Sequence, residues 1–200
     1  MSHSVRWRIV AVATAMAGAL AWPTTGAAQT VVGNAKAVRA TTFGLFGGST
    51  TTLASTGALG GPGDSLDATR MTGSVSSLLS GEVLRAVTTA WPDQVASEAS
   101  LASLGMTVAG TGITADFVQA RALALLGEAG SGSSLISNLS INGVPIPVTG
   151  APNQTIWIPG GRVVLNEQTV SSAGTTVNAL HAVVTGVADV VVASATAGIQ

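Results

Sequence analysis

Two apolar runs near the end of the chain place the tightest limit on its fold. Residues 175–185 and 188–197 are rich in Val, Thr and Ala, and a short segment containing Gly186 separates them. Each run is too short for a membrane-spanning helix, and β-branched residues pack well on a pleated sheet. Both runs are apolar at odd and even positions alike. This predicts two strands in the middle of a two-layer structure.

An Asn-Gly pair upstream predicts a hairpin. Asn142-Gly143 lies between two predicted strands, 135–141 and 144–148, and both turn residues tolerate a positive φ. Pro145 and Pro147 have no N–H to donate, so the second of these strands is expected at a sheet edge. Further strands are predicted over 155–158 and 162–168, followed by a turn over 171–174.

The first half of the chain is less clearly patterned. Residues 31–43 predict a strand, and residues 44–63 predict a Gly/Ser/Thr-rich loop or a weak strand pair. Residues 82–91 fit a strand or a helix. Ala and Leu in 97–104 and 114–126 favour helix in isolation, but the surrounding pattern favours strands for both segments.

The fold class that follows is an all-β, antiparallel β-sandwich. Ala recurs at alternate positions in several segments, and small side chains at this spacing allow two sheets to approach closely. The chain has no Cys, so packing and backbone pairing must stabilise the fold without disulfides. The alternating Ala residues are Ala35 and Ala37, Ala122 and Ala124, and Ala193, Ala195 and Ala197.

The first 28 residues have the features of a secretory signal peptide. Arg6 and Arg8 precede an apolar run over residues 9–20, and Gly26-Ala27-Ala28 supplies small residues before Gln29. The run is short for a membrane span, which disfavours an uncleaved anchor. We therefore expect residues 1–28 to be removed and residues 29–200 to form a single β-rich extracellular domain.

The low charge of the chain excludes several classes of protein. Only 8% of its residues are charged, against about 25% in ordinary soluble proteins. Without Arg6 and Arg8, six basic residues remain against nine acidic ones, a net charge of −3. Positive charge is too scarce for a nucleic-acid binder. No apolar run after residue 28 is long enough to span a membrane, and no cofactor is indicated.

One tetrapeptide matches a catalytic motif. Gly63-Asp64-Ser65-Leu66 matches the GDSL sequence of a large esterase family, in which Ser is the nucleophile and a distant His activates it. A Gly/Pro loop precedes it here instead of a predicted strand. We therefore expect a polar turn in which Asp64 or Asp67 caps its own backbone.

Histidine and carboxylates offer no catalytic or metal site by pattern. His181 is the only His after residue 28, and one imidazole does not make a zinc site. On an extended strand it shares a face with Val177, Ala179 and Val183, which predicts a hydrogen-bonded core residue. The nine acidic residues form no D-x-D-x-D-G calcium loop. Two of them could serve a glycosidase, but nothing in the pattern selects a pair.

Four polar residues on predicted strands close in sequence form one candidate cluster: Asn166, Glu167, Asn178 and His181. If these strands pair, the side chains can converge on a small ligand or glycan between the two sheets. The alternative, which we favour, is a buried polar network that fixes strand register.

The C-terminal part of the chain resembles bacterial secreted proteins of the choice-of-anchor P family. The match covers most of residues 35–199 and is most specific over 138–199. Its elements are Ile141-Asn142-Gly143 with the following Val-Pro-Ile-Pro, Pro152-Asn153 leading to Ile156-Trp157-Ile158-Pro159, Val164–Gln168, Val177–His181, and the ending Asp189–Ile199.

The resemblance implies a secreted or surface-displayed bacterial domain with no defined activity and no catalytic residues. Members carry different C-terminal surface anchors, whereas this sequence ends at Gln200 without one. Release or non-covalent association is therefore expected.

The expected function is that of a non-enzymatic secreted or surface-associated structural or interaction protein. The alternatives are a small-ligand or glycan-binding module and a secreted hydrolase that uses Ser65 or a carboxylate pair. The expected partner is a cell-envelope or matrix component or a second copy of the chain, because low charge and hydroxyl-rich strands leave sheet edges weakly protected.

Overall fold

The computed structural model describes residues 29–44 and 47–200, and these residues are all-β. They contain no helix, and none of them belongs to a helix that could cross a membrane. Two antiparallel sheets pack face to face, which confirms the predicted β-sandwich. The predicted signal peptide, residues 1–28, lies outside the described residues.

The described residues form thirteen strands: β1 (Val31–Gly44), β2 (Gly47–Ser55), β3 (Ser65–Val75), β4 (Leu79–Ala90), β5 (Gln94–Val108), β6 (Thr111–Leu125), β7 (Ser131–Ser137), β8 (Ser140–Ile141), β9 (Val144–Pro145), β10 (Gln154–Ile158), β11 (Gly161–Ser171), β12 (Gly174–Val184) and β13 (Ala188–Ile199). Sheet A has the order β10-β11-β12-β13-β1-β2. Sheet B has the order β3-β4-β5-β6-β8-β9, and β7 also pairs with β6.

Most of the predicted strands are present. β12 and β13 occupy the middle of sheet A, as their apolar character on both faces predicts. The segments in which Ala and Leu allowed a helix form β5 and β6, where each strand is paired on both sides. Asn142 and Gly143 have φ of 51° and 77° and connect β8 to β9, so the predicted hairpin is confirmed.

The structure corrects three predictions of secondary structure. Residues 47–55 form one strand paired with β1 instead of the predicted loop or weak strand pair. The strand predicted over 135–141 is broken at Asn138, whose φ of 52° separates β7 from β8. Residues 65–75, which carried no strand prediction, form β3. β9 lies at the sheet edge as expected, but it is only two residues long.

Small residues set the close spacing of the two sheets. All the alternating Ala residues of the sequence are buried in the core. A Cβ added to Gly132 on β7 would collide with Val177 on β12, so this position accepts no larger residue. Ser97 Oγ on β5 donates a 2.6 Å hydrogen bond to the carbonyl of Thr196 on β13, which links the two sheets directly.

A row of five residues on neighbouring strands crosses sheet A, and three of the five have left-handed backbone. Ala54, Ala193 and Asn166 have φ of 44°, 53° and 50° on alternate strands. Pairing keeps the same register on both sides of the row. On each strand, the residue in this row and one neighbour along the chain are both buried. The side chains that point into the core therefore have odd numbers on one side of the row and even numbers on the other. We call this the crossing row; its residues, from β2 to β11, are Ala54, Ala37, Ala193, Ala179 and Asn166.

In sheet B the alternation of side chains is also interrupted, but here two consecutive side chains are exposed instead of buried. Val83 and Ser103 have φ of 47° and 52°. Glu82 and Val83 are consecutive exposed residues on β4, so here two neighbouring side chains point outward. A left-handed conformation costs an L-residue roughly 1–2 kcal/mol, and it suits a β-branched residue least. Val83 therefore stores backbone strain.

Replacing Val83 with Gly should relieve that strain. The relief offsets the greater flexibility that Gly gives the unfolded chain, so we expect the free energy of unfolding to stay within about 0.5 kcal/mol or to rise. Val87→Gly on the same strand is the matched control, and it should lose about 1 kcal/mol or more because its backbone is extended. Urea denaturation measures both. Equal losses in the two variants would contradict the assignment of strain to Val83.

Candidate functional site

Three residues of the predicted polar cluster meet on the outer face of sheet A. Asn178 Nδ2 donates to Glu167 Oε2 over 2.6 Å, and His181 Nδ1 lies 2.8 Å from the same oxygen. The side chains of His181 and Glu167 are 16% and 26% exposed. The cluster therefore faces solvent on the outside of the sandwich, not a space between the two sheets.

The crossing row brings Asn178 and His181 together. Residues three positions apart on a regular strand point to opposite faces. Ala179 and Leu180, between them, are both fully buried, so Asn178 and His181 both point outward. The prediction that His181 shares a face with Val177 and Ala179 was wrong for this reason, since both are fully buried on the inner face.

Two residues that the sequence analysis did not assign complete the cluster. His181 Nε2 lies 3.3 Å from Asp189 Oδ1, and Arg39 Nη2 lies 3.5 Å from the same oxygen. Asp189 faces Val183 in the antiparallel β12–β13 pair. Pairing the two predicted strands around Gly186 would have placed Asp189 near His181. We call the five residues the His181 network: Glu167, Asn178, His181, Asp189 and Arg39.

Asn166 is not part of this network, which corrects the predicted cluster. It belongs to the crossing row and is buried on the inward side. Its Nδ2 donates to the carbonyl of Gly150 over 2.8 Å, and its Oδ1 accepts from Gln168 Nε2 over 3.0 Å. Gln168 also donates to the carbonyl of Gly132 on β7. Asn166 therefore links β11 to a loop, and Gln168 links it in turn to the opposite sheet.

The two carboxylates favour the charged form of His181. A neutral imidazole has one N–H, whereas contacts with both Glu167 and Asp189 use two donors. The hydrogen bond to Glu167 raises the pKa of His181 above its ordinary value of 6.5, although burial acts in the opposite direction. The same hydrogen bond lowers the pKa of Glu167 below its ordinary value of 4.5.

The polar groups of the His181 network bond to one another. Glu167 Oε2 accepts from Asn178 and His181, and both imidazole nitrogens have carboxylate partners. The network joins β11, β12, β13 and β1 through side-chain contacts. It lies on the outer face of sheet A and is not the buried network of the favoured interpretation. Among the described residues, no group of three or more His, Asp or Glu side chains is arranged to hold a metal.

The first half of the GDSL segment belongs to the predicted polar turn, whereas Ser65 and Leu66 begin β3. Asp64 Oδ2 accepts from the Gly60 N–H over 2.8 Å, and Asp64 Oδ1 accepts from the Ser65 N–H over 2.9 Å. Asp67 does not cap the turn. It lies within β3, where its carboxylate is 3.5 Å from Arg85 Nε.

Within residues 29–44 and 47–200, no His lies beside Ser65. Its Oγ lies 2.9 Å from Thr89 Oγ1 on the outer face of sheet B. His181 lies on the outer face of sheet A. Because the thickness of the sandwich separates the two side chains, they do not form a nucleophile–base pair.

A groove of about 610 Å³ lies on the outer face of sheet B. Antiparallel register places its lining residues in rows across β4, β5 and β6. Small side chains form its floor and longer ones its walls, so the depression follows from side-chain size. We call it the sheet B groove; its rows are Thr89, Ala96 and Leu123, then Val87, Glu98 and Arg121, with Ser131 and Ser133 beside them on β7.

The ends and walls of the sheet B groove combine an indole with charged groups. Trp91, directly after β4, is 42% exposed, and Arg85 lies on β4 toward the other end of the groove. Glu98 Oε2 accepts from Arg121 Nε over 2.7 Å, and Glu98 Oε1 accepts from Gln119 Nε2 over 3.0 Å. Pairing the predicted strands 82–91, 97–104 and 114–126 could have brought most of these residues together.

Comparisons of the chain with protein families, curated proteins and solved structures find no match.

The charged state of the His181 network predicts a pH optimum for stability. Because the pKa of His181 is raised, its contribution is complete below pH 6.5 and is lost as pH rises through the folded-state pKa. Because the pKa of Glu167 is lowered, its contribution is complete above pH 4.5 and is lost as pH falls. The network therefore stabilises the fold most between these two values.

Urea denaturation across this pH range tests the prediction. The wild-type free energy of unfolding should fall above pH 6.5, and His181→Gln should remove most of that fall. Thr176→Val, on the same strand and outer face, is the control, and it should keep the wild-type pH profile. An unchanged pH profile in His181→Gln would show that the imidazole does not carry this effect.

Proposed function

We propose that this chain is exported and acts outside the cell as a non-enzymatic structural or interaction domain. The signal-peptide pattern of residues 1–28 and the resemblance to the choice-of-anchor P family support export and a bacterial surface context. The observation that carries the non-enzymatic assignment is the pairing of the polar groups. Glu167, Asn178 and His181 bond to one another, and the hydroxyl of Ser65 lies at hydrogen-bond distance from the hydroxyl of Thr89.

Cell fractionation with and without crosslinking tests the proposal. We expect the processed chain outside the cytoplasm, either released or crosslinked to an envelope or matrix component. Retention in the cytoplasm would overturn the exported role. Ester hydrolysis by the purified protein that disappears in Ser65→Ala would overturn the non-enzymatic role.

The sheet edges favour a second copy of the chain as one partner. β2 is nine residues long and contains neither Pro nor a charged residue. The other edges carry features that oppose pairing: Asp67 and Arg70 lie on β3, Pro145 lies on the two-residue β9, Pro159 follows the short β10, and Gln168 donates to the carbonyl of Gly132 on β7. Antiparallel pairing of two β2 strands would join two copies into one continuous sheet.

Analytical ultracentrifugation measures this self-association. The wild-type protein should show a concentration-dependent dimer, and Thr52→Lys should shift it to monomer because two like charges would face each other across the paired strands. Thr69→Lys on β3 is the matched control and should leave the dimer intact. A wild-type protein that stays monomeric at high concentration would rule out this partner.

A second candidate function, the binding of a small ligand or glycan, is favoured by one specific observation. The sheet B groove offers an exposed indole beside charged side chains, whereas the polar groups of the His181 network are bonded to one another. Binding by this groove is compatible with the interaction role and would specify it further.

A further inference from the structure

We propose that the sheet B groove binds an acidic oligosaccharide. In this arrangement Trp91 stacks against a sugar ring, and Arg85 and Arg121 bind carboxylate groups of the ligand. The inference rests on the proposed function, because it assigns a ligand class to an interaction domain that acts outside the cell.

The dimensions of the groove fit a chain-like ligand. Trp91, which directly follows β4, lies six positions after Arg85, and a rise of about 3.3 Å per residue gives a length of about 20 Å. The groove extends from β4 to β7, and three strand spacings of about 4.8 Å give a width of about 14 Å. It is open to solvent along its length. A linear oligomer can therefore lie in it without entering an enclosed cavity.

The surface of the groove offers both types of contact that a sugar ring requires. Trp91 and Leu123 present apolar surface to the C–H face of a ring, and an indole is a large, rigid platform for stacking. The hydroxyls of Thr89, Ser131 and Ser133 can exchange hydrogen bonds with ring hydroxyls. Of the two Trp residues in the described part of the chain, only Trp91 lines this groove.

The two guanidinium groups of the groove favour an acidic ligand over a neutral one, whereas Glu98 in the same lining carries negative charge. Glu98 holds the Nε side of Arg121, and the two terminal NH₂ groups of that guanidinium have no protein acceptor among the described residues. Arg85 has one long contact of 3.5 Å, to Asp67. A guanidinium presents paired N–H donors that match a carboxylate. Two of the six basic residues that follow residue 28 thus line one groove in a chain that is acidic over the same residues.

Matched ligands separate charge recognition from ring recognition. Isothermal titration calorimetry on the full chain at low salt would compare a galacturonic acid oligomer, its methyl-esterified form and polyglutamate. We expect binding of the acidic oligomer and at least about tenfold weaker binding of the ester, since the ester loses the charge-assisted hydrogen bonds. Polyglutamate carries carboxylates without sugar rings and should bind at least about tenfold more weakly as well.

Substitutions locate the binding site on sheet B. Trp91→Ala and Arg121→Gln should each weaken binding of the acidic oligomer by about 10- to 100-fold. Trp157→Ala and Arg162→Gln make the same changes on sheet A and should stay within about twofold of wild type. Trp91→Phe and Arg121→Lys are milder variants for the case that either first substitution impairs folding, and both should show intermediate affinity.

Each outcome decides the inference. Absence of binding, equal binding of the ester or of polyglutamate, or unchanged affinity in the Trp91 and Arg121 variants would overturn it. If the protein still fractionates outside the cytoplasm while binding no acidic oligomer, the inference fails and the proposed function stands. If the protein is retained in the cytoplasm, the proposed function fails whatever the affinity.

Discussion

The crossing row is the constraint on which the outer surface of sheet A depends. Left-handed backbone occurs on alternate strands, at Ala54, Ala193 and Asn166. On the strands between them, the alternation of inward and outward side chains also shifts by one residue where they meet the row. A change on one strand alone would turn its remaining core side chains toward solvent, because side chains alternate strictly along a strand. The coordinated change keeps the inner face apolar across the whole sheet. It also sets which polar residues become neighbours outside.

The His181 network is a direct product of that change. Asn178 and His181 share a face only because Ala179 and Leu180 both point inward, and Glu167 reaches both of them from β11. The network in turn stabilises the pairing of these strands, because its side chains connect four strands of sheet A. Charge concentrated here is compatible with a chain of low charge overall, since the two carboxylates are balanced by His181 and Arg39.

Sequence patterns predict those elements whose own residues favour the observed conformation, and they miss elements that form only by pairing with a neighbour. Apolar runs identify β12 and β13, and Asn142-Gly143 identifies a hairpin through the backbone conformation it tolerates. β3 was missed because its sequence, SLDATRMTGSV, has few apolar residues and depends on pairing with β4. The face of His181 could not be predicted from strand period, because Ala193 and Ala54 carry no signal for left-handed backbone. Only Asn166, of a type that tolerates this conformation, offered a hint.

The two outer faces of the sandwich differ in how their polar groups are used, and this difference bears on where binding should occur. On sheet A, both nitrogens of His181 and the Oε2 atom of Glu167 are engaged within the protein, so a ligand would have to replace existing bonds. On sheet B, Glu98 anchors Arg121 through one nitrogen only, and Trp91 keeps much of its indole exposed. A ligand there can bind the terminal nitrogens of Arg121 while its Nε stays bonded to Glu98. Recognition is therefore expected on sheet B, and the polar cluster of sheet A acts in holding the strands together.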